Sequence, residues 1–185
     1  MPKCTIRRLQ ESDVEVCETI YRLNEPGRFP AGYFQKFADW LRNGSSLILV
    51  AEQDGDVRAF GGVNAQDRDG RYVASLSFGM VHPAHHRQGF GTVLLLARLA
   101  MLKTTKEFSY AVLNTVGGSE TFYERFGFSF FSAIQVTPEY LQKHYVVRLS
   151  KLDRARCSAE LAEIWTQPLL DRCELPPLSD SVATA

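Results

Sequence analysis

Two closely spaced glycines, Gly89 and Gly91, are the residues of this sequence whose position most directly indicates chemistry. They lie in the run H-R-Q-G-F-G-T of residues 86–92, between a strand-like segment that ends at Val81 and a long apolar segment. A strand, a glycine turn and a helix in this order gather free backbone N–H groups at the helix N-terminus, which suits an anion. Glycine allows positive φ and leaves no β-carbon to block phosphate oxygens, and Arg87 could add charge. The turn is therefore predicted to bind phosphate groups.

Other interpretations of the glycine pair are limited by its surroundings. The third glycine of a dinucleotide-binding G-x-G-x-x-G would fall at Leu94, and the strands before the turn are predicted to be antiparallel, which excludes that fingerprint. The G-K-S/T of a nucleotide phosphate loop is absent. A tight turn whose glycines only permit helix packing stays open as a structural alternative.

Composition narrows the class of protein. The 185 residues are 45% hydrophobic, and 21 basic side chains balance 21 acidic ones, so no global field favours nucleic acid or an anionic membrane. No signal-peptide core or membrane-length apolar run is present. The four cysteines form no C-x-x-C pair, which argues against a zinc site or a disulfide framework. We expect a cytoplasmic protein without nucleic-acid or membrane partners.

The glycine turn must be positioned by the elements around it. Apolar periodicity, caps and Asp-Gly turns predict one domain over residues 1–150, in which Gly61 and Gly62 indicate a bulge or a close backbone approach. Residues 151–185 are predicted as an extension, with Leu161, Ile164 and Trp165 on one helix face before a proline-containing tail. The predicted order is strand 4–9, helices 14–23 and 33–41, strands 47–51, 57–63 and 72–81, helix 92–101, strand 108–113, helix 119–126 and strand 145–149.

Two segments of this sequence resemble a known family. Residues 81–92, V-H-P-A-H-H-R-Q-G-F-G-T, look like motif A of the GNAT superfamily of N-acetyltransferases, whose pattern is Q/R-x-x-G-x-G/A after a strand ending in V-x-P. Residues 122–128, F-Y-E-R-F-G-F, are similar to the F-Y-E-x-x-G-F of motif B. His86 departs from the pattern because it occupies the position of the usual Gln or Arg.

The resemblance implies an α/β (α+β) fold and a coenzyme site. The fold would have a mixed, mostly antiparallel sheet of six to seven strands, splayed between strands 4 and 5 and flanked by about four helices. Acetyl-CoA would lie in the opening as co-substrate, and Tyr123 would act as the catalytic residue, donating a proton or hydrogen bond to the departing sulfur. The implied coenzyme-binding residues are Met80, Val81, His86, Arg87, Gln88, Gly89, Phe90, Gly91, Thr92 and Asn114.

The group that takes the proton from the acceptor amine stays open at this stage. Many relatives place a glutamate on the fourth strand, but the corresponding residue here is Ser75, so the candidates are a water chain, His82, Glu25 or Glu52. The acceptor side is predicted to include aromatic residues of the second helix region, although that spacing is also typical of core packing. These aromatic residues are Phe29, Tyr33, Phe34 and Phe37.

Three functional expectations follow from the resemblance. The first is an N-acetyltransferase that acts on a primary amine, with a catalytically weak acyl-CoA-binding or sensing module as the alternative. The second is the absence of a metal, since His82, His85 and His86 have no Cys, Asp or Glu beside them in the loop. The third is a possible homodimer, because edge strands of this fold commonly pair between subunits.

Overall fold

The computed structural model describes residues 3–25, 28–68, 71–102, 108–116 and 118–151. Within these ranges the chain forms seven strands and four α-helices, with short 3-10 turns between several of them. The predicted extension, with Leu161, Ile164 and Trp165, lies outside the described residues. The elements are β1 (Thr5–Arg8), α1 (Val14–Asn24), α2 (Tyr33–Arg42), β2 (Leu47–Gln53), β3 (Asp56–Arg68), β4 (Arg71–Val81), α3 (Phe90–Met101), β5 (Tyr110–Thr115), α4 (Glu120–Glu124), β6 (Ser129–Thr137) and β7 (Tyr140–Arg148).

The strands form one mixed sheet in the order β1-β2-β3-β4-β5-β7-β6. Every neighbouring pair is antiparallel except β4 and β5, which run parallel. That parallel pairing extends only from Val73 opposite Tyr110 to Leu76 opposite Leu113. The remainder of β4, residues 77–81, has no partner on β5, so the sheet opens into a V on this side. The predicted splayed, mostly antiparallel sheet is confirmed.

The helices cover the two faces of the sheet. Helices α1 and α2 pack on one face, against side chains that include Phe60 and Met80. Helix α3 packs on the other, and ten of its residues are buried, because its sequence is apolar almost all round. Helix α4 adds Phe122 and Tyr123 to this second face.

Strand β4 carries a bulge where the opening begins. Phe60 pairs with Met80, but Gly62 pairs with Ser77, so β4 contains one more residue than β3 over this stretch. Phe78 has a φ of 45°, in the left-handed region, and its ring packs on the α1–α2 face. The glycine pair of β3 is explained by close approach rather than by a bulge in its own strand, since a β-carbon at Gly62 would lie 2.4 Å from Trp40 Cζ2.

Sequence reasoning missed one strand of the sheet. Strand β6 was not among the predicted elements, and the last strand was predicted to begin only at Tyr145, whereas β7 begins at Tyr140. The cause is the position of β6 at the edge of the sheet, where Phe130, Phe131 and Ile134 are more than half exposed and no alternation of buried and exposed residues marks the strand. No helix of the described ranges is long and apolar enough to cross a membrane.

Candidate active site

The opening between β4 and β5 leads into a cleft of about 1070 Å³. Its walls come from the end of β4, the start of α3, the end of β5, helix α4 and the connection between α1 and α2. Nine of the predicted site residues line it. They are Met80, Val81, His86, Arg87, Gly89, Gly91, Thr92, Asn114 and Tyr123.

The glycine turn places the N-terminus of α3 at one end of the cleft. Gly89 caps the helix with a φ of 94°, and Arg87 also has a positive φ of 61°. The first helical hydrogen bond runs from the Val93 N–H to the Gly89 carbonyl, at 3.1 Å, so the N–H groups of residues 89–92 have no acceptor within the helix. Backbone donors and the positive end of the helix dipole therefore face the same space.

Gly91 has a different reason to be glycine from Gly89. A β-carbon at Gly91 would lie 3.5 Å from Val81 and 3.8 Å from Phe122, which are ordinary contacts. Protein packing alone therefore tolerates a larger residue here. What the missing β-carbon provides is room over the helix N-terminus on the cleft side, where a ligand would approach.

Gln88 and Phe90, both predicted to bind the coenzyme, do not line the cleft with their side chains. Phe90 is 1% exposed in the core, because the first turn of α3 must also pack on the sheet. Gln88 donates to the Ala84 carbonyl at 3.1 Å and so stabilises the turn. These two residues can serve a ligand only through backbone N–H groups.

The histidines of the turn have structural partners that define their tautomers. Arg58 can only donate, so His85 Nε2 accepts its hydrogen bond at 3.0 Å and His85 Nδ1 donates to Gln88 Oε1 at 3.2 Å. A carbonyl can only accept, so His86 Nε2 donates to the Val81 carbonyl at 3.0 Å. Neither imidazole can hold a metal through these nitrogens while the bonds persist. Within the described ranges, no three His, Cys, Asp or Glu side chains come together as a metal site.

Val81 is held in place by two side chains at the edge of the opening. Its carbonyl accepts from His86 and from Asn24 Nδ2, at 3.0 Å each, and Asn24 is buried at the end of α1. The next residue, His82, donates its N–H to the Arg58 carbonyl of β3. Since successive residues of a strand point their backbone groups to opposite sides, the Val81 N–H points away from β3 and into the opening.

Tyr123 approaches the cleft from α4. Its ring is partly buried against Phe122 and Phe128, at centroid distances of 5.0 and 6.0 Å. Burial raises the pKa of the Tyr123 hydroxyl, and the positive charge of Arg98 partly offsets this rise. The hydroxyl therefore stays protonated at neutral pH and can donate a hydrogen bond into the cleft.

Arg98, in the third turn of α3, lies on the floor of the cleft and is only 3% exposed. Sequence reasoning assigned it no role. A lone arginine in such a helix is nevertheless a signal, because a guanidinium is rarely buried without a purpose. Arg125 also lines the cleft and was not predicted.

The opposite end of the cleft is aromatic. Phe29, Tyr33 and Phe78 line it, and the centroids of Phe29 and Tyr33 both lie 6.3 Å from that of Phe78. The other two predicted acceptor-side residues do not line the cleft: Phe37 is fully buried in the core, and Phe34 stacks under Arg22, whose Cζ lies 3.7 Å from the ring centroid.

None of the predicted proton acceptors is a lining residue of the cleft. Glu52 accepts from Arg7 Nε at 2.7 Å, within an ion-pair network at the β1 edge of the sheet. The Nδ1 atom of His82 accepts from the Ala84 N–H and caps the turn, and Glu25 also lies outside the lining. Among the described lining residues there is no Asp or Glu, whereas Arg28, Lys36, Arg87, Arg98 and Arg125 are present. The described part of the cleft is therefore basic.

Comparison with known proteins gives one family match and several structural neighbours. The sequence matches the acetyltransferase (GNAT) family over residues 14–128. Comparison with curated protein sequences gives no significant match.

Similar solved structures include three bacterial proteins. Ribosomal-protein-alanine N-acetyltransferase from Brucella melitensis is 19% identical, with a TM-score of 0.63 over 77% of this chain and 98% of that one. The yncA protein of Salmonella typhimurium, solved with its cofactor acetyl-CoA, is 19% identical, with a TM-score of 0.63 over 82% and 97%. Ribosomal-protein-S18-alanine N-acetyltransferase from Escherichia coli is 20% identical, with a TM-score of 0.62 over 79% and 94%. These likenesses show a shared fold.

Proposed function

Because this chain belongs to the acetyltransferase (GNAT) family, we propose that it transfers an acetyl group from acetyl-CoA directly to a primary amine. Family membership makes it an acyltransferase, and the proposal adds the donor, the acceptor class and the residue roles. The observation that carries it is the meeting, in one cleft, of the free helix N-terminus, the inward-pointing Val81 N–H and the Tyr123 hydroxyl. Those three features suit a pyrophosphate, a thioester carbonyl and a departing sulfur.

The donor end of the cleft fits coenzyme A. The N–H groups of residues 89–92 would bind the pyrophosphate, and Arg87 and Arg125 would add positive charge beside it. Asn114, on β5 just beyond the last residue paired with β4, would contact the pantetheine arm. The absence of Asp and Glu from the described lining removes any repulsion of the phosphates.

The edge of β4 would activate the acyl group. When bound, the coenzyme supplies an acyl thioester whose carbonyl gains negative charge as the amine attacks. The Val81 N–H, fixed through the anchored Val81 carbonyl, would donate to that developing charge. Since the donor belongs to the backbone and the peptide that follows it, between Val81 and His82, is held at both its carbonyl and its N–H, little reorganisation is needed during the reaction.

Tyr123 would stabilise the departing thiolate by hydrogen bonding. With a phenol pKa near 10 and a thiol pKa near 8.5, complete proton transfer is uphill by about 2 kcal/mol. Burial raises the pKa of Tyr123 further and makes full transfer less favourable still. A hydrogen bond to the sulfur is therefore the role we assign to it.

The acceptor amine must lose its proton without a carboxylate in the described lining. An amine of pKa about 10.4 is neutral only about once in 2,500 molecules at pH 7. Ser75 and Ser77 line the cleft and could order a water chain that leads the proton to solvent. We therefore expect kcat/KM to rise with pH until the amine itself is deprotonated.

The second candidate is an acyl-CoA-binding module with little activity. The lack of a carboxylate among the described lining residues favours it, and the presence of Tyr123 in the cleft favours the enzyme. Calorimetry with acetyl-CoA, followed by a free-thiol assay across a panel of amines, separates the two. Binding with thiol release supports the transferase, binding without release on any amine supports the module, and no binding contradicts both.

A further inference from the structure

The guanidinium of Arg98 is a buried positive charge without an anionic partner in the described structure. Its Nε donates to the Leu94 carbonyl at 3.3 Å, in the preceding turn of the same helix. No described residue accepts a hydrogen bond from Nη1 or Nη2, and no described carboxylate lines the cleft onto which Arg98 faces. An arginine keeps its charge in a protein, so burial without a partner is costly.

Two glycines make the space that this guanidinium occupies. A β-carbon at Gly79 would lie 2.7 Å from Arg98 Nη2, and one at Gly61 would lie 3.0 Å from Nη1. Both glycines have negative φ, so their backbone conformation does not require glycine. Three elements, β3, β4 and α3, thus combine to hold a cation directly beneath the β4 bulge.

The position of Arg98 indicates that its anionic ligand belongs to the acyl donor rather than to the acceptor. It belongs to α3, the helix whose N-terminus faces the proposed pyrophosphate position, and a rise of about 1.5 Å per residue places it about 10 Å deeper than Gly91. That is within the reach of a pantetheine arm. The aromatic acceptor end packs instead with α1 and α2, on the other face of the sheet.

We infer that this site takes, in addition to acetyl-CoA, acyl-CoA donors whose short acyl group ends in a carboxylate, and that Arg98 binds that carboxylate. The inference rests on the proposed function, because it needs a coenzyme A thioester in the cleft. The reaction is unchanged in its balance: the acyl C–S bond breaks, the C–N bond forms, the amine loses a proton and the thiolate gains one. The terminal carboxylate takes no part in these steps.

A carboxylate in the bound donor fits the site better than a charge that forms only during the reaction. If Arg98 paired only with an oxyanion that forms during the reaction, its charge would still be unpaired after the donor has bound. A carboxylate would pair with both free Nη atoms as soon as the donor binds, and a planar guanidinium suits such a fork. The donor class follows from this pairing.

Calorimetry with the full chain tests the inference without knowledge of the acceptor. The probes are succinyl-CoA and butyryl-CoA, which have equally long acyl chains that differ in the terminal group, together with free coenzyme A. We expect succinyl-CoA to bind at least about 10-fold more tightly than butyryl-CoA, because a desolvated charge pair forms only with the former. In Arg98→Met, which keeps the apolar stem without the charge, we expect that preference to disappear while free coenzyme A binds as before.

The outcomes separate the inference from the proposed function. If no form of the coenzyme binds, the proposed function fails and the inference fails with it. If free coenzyme A binds but the parent does not prefer succinyl-CoA, or if Arg98→Met keeps the preference, only the inference is overturned. Should Arg98→Met fail to fold, Arg98→Gln provides the same comparison, and Arg98→Lys should retain part of the preference.

Discussion

The two ends of the cleft are built from different parts of the polypeptide. The proposed donor end consists mainly of backbone: N–H groups at the start of α3, a glycine with a φ of 94° and the edge of β4. The acceptor end consists of side chains, above all Phe29, Tyr33 and Phe78. A backbone site requires particular residues at particular spacings, whereas an aromatic wall can be rebuilt with many side chains. Proteins that share one fold can therefore use the same donor while their acceptors differ.

Replacement of Gly89 is the strongest test of the backbone end. In Gly89→Glu we expect coenzyme affinity to fall by about 100-fold or more, because a carboxylate would stand at the proposed pyrophosphate position and would repel the phosphates. Gly44→Glu is the matched control, since Gly44 also has a positive φ, of 67°, and nothing within 4 Å of its β-carbon position, but lies outside the cleft. Both variants should lose similar stability. If calorimetry gave equal coenzyme affinities for Gly89→Glu and the parent protein, the proposal that the glycine turn binds the pyrophosphate would be refuted.

Removal of the Tyr123 hydroxyl tests the chemistry between the two ends. We expect Tyr123→Phe to lower kcat by about 10- to 100-fold, with coenzyme affinity unchanged, because the proposed hydrogen bond is to the departing sulfur and not to the bound coenzyme in its ground state. Since burial raises the pKa of Tyr123, the ratio of parent to variant should stay constant through neutral pH. Tyr110→Phe is the control, because its hydroxyl accepts from Arg148 at 2.9 Å on the exposed surface. Unchanged kcat in Tyr123→Phe removes the assignment.

The aromatic end should affect a different kinetic constant. Phe29 stacks on Tyr21 at a centroid distance of 4.8 Å and faces the cleft, so Phe29→Ala should raise the KM of the acceptor by about 10-fold and leave coenzyme affinity unchanged. Phe34→Ala is the matched control within the same aromatic cluster, because Phe34 does not line the cleft. Steady-state kinetics in both substrates measures the difference. A loss of coenzyme affinity in Phe29→Ala would contradict the division into two ends.

The same division explains what could be predicted from the sequence. The glycine turn, the apolar helix after it and the Asp-Gly hairpins each have a local physical requirement, so these elements followed from the pattern, whereas the opening of the sheet was implied by the family resemblance. Strand β6 has no buried face, so no alternation of buried and exposed residues marks it. Phe29 and Phe37 are the same residue type in one predicted aromatic set, and the sequence does not reveal that only Phe29 reaches the cleft. The role proposed for Arg98 could be recognised only from the structure, since it depends on glycines of two strands that are distant from Arg98 in the sequence.

The smallest expected effect concerns His86, where a side chain supports the backbone end. Its Nε2 donates to the Val81 carbonyl, so His86→Ala should lower coenzyme affinity by about 3- to 10-fold, in line with about 1 kcal/mol for one hydrogen bond. Asn24 still holds the same carbonyl in that variant, which limits the loss. His86→Gln restores a side-chain donor and should recover most of the affinity. If Ala and Gln bind the coenzyme alike in calorimetry, the bond to Val81 contributes nothing, and the donor end depends on backbone groups alone.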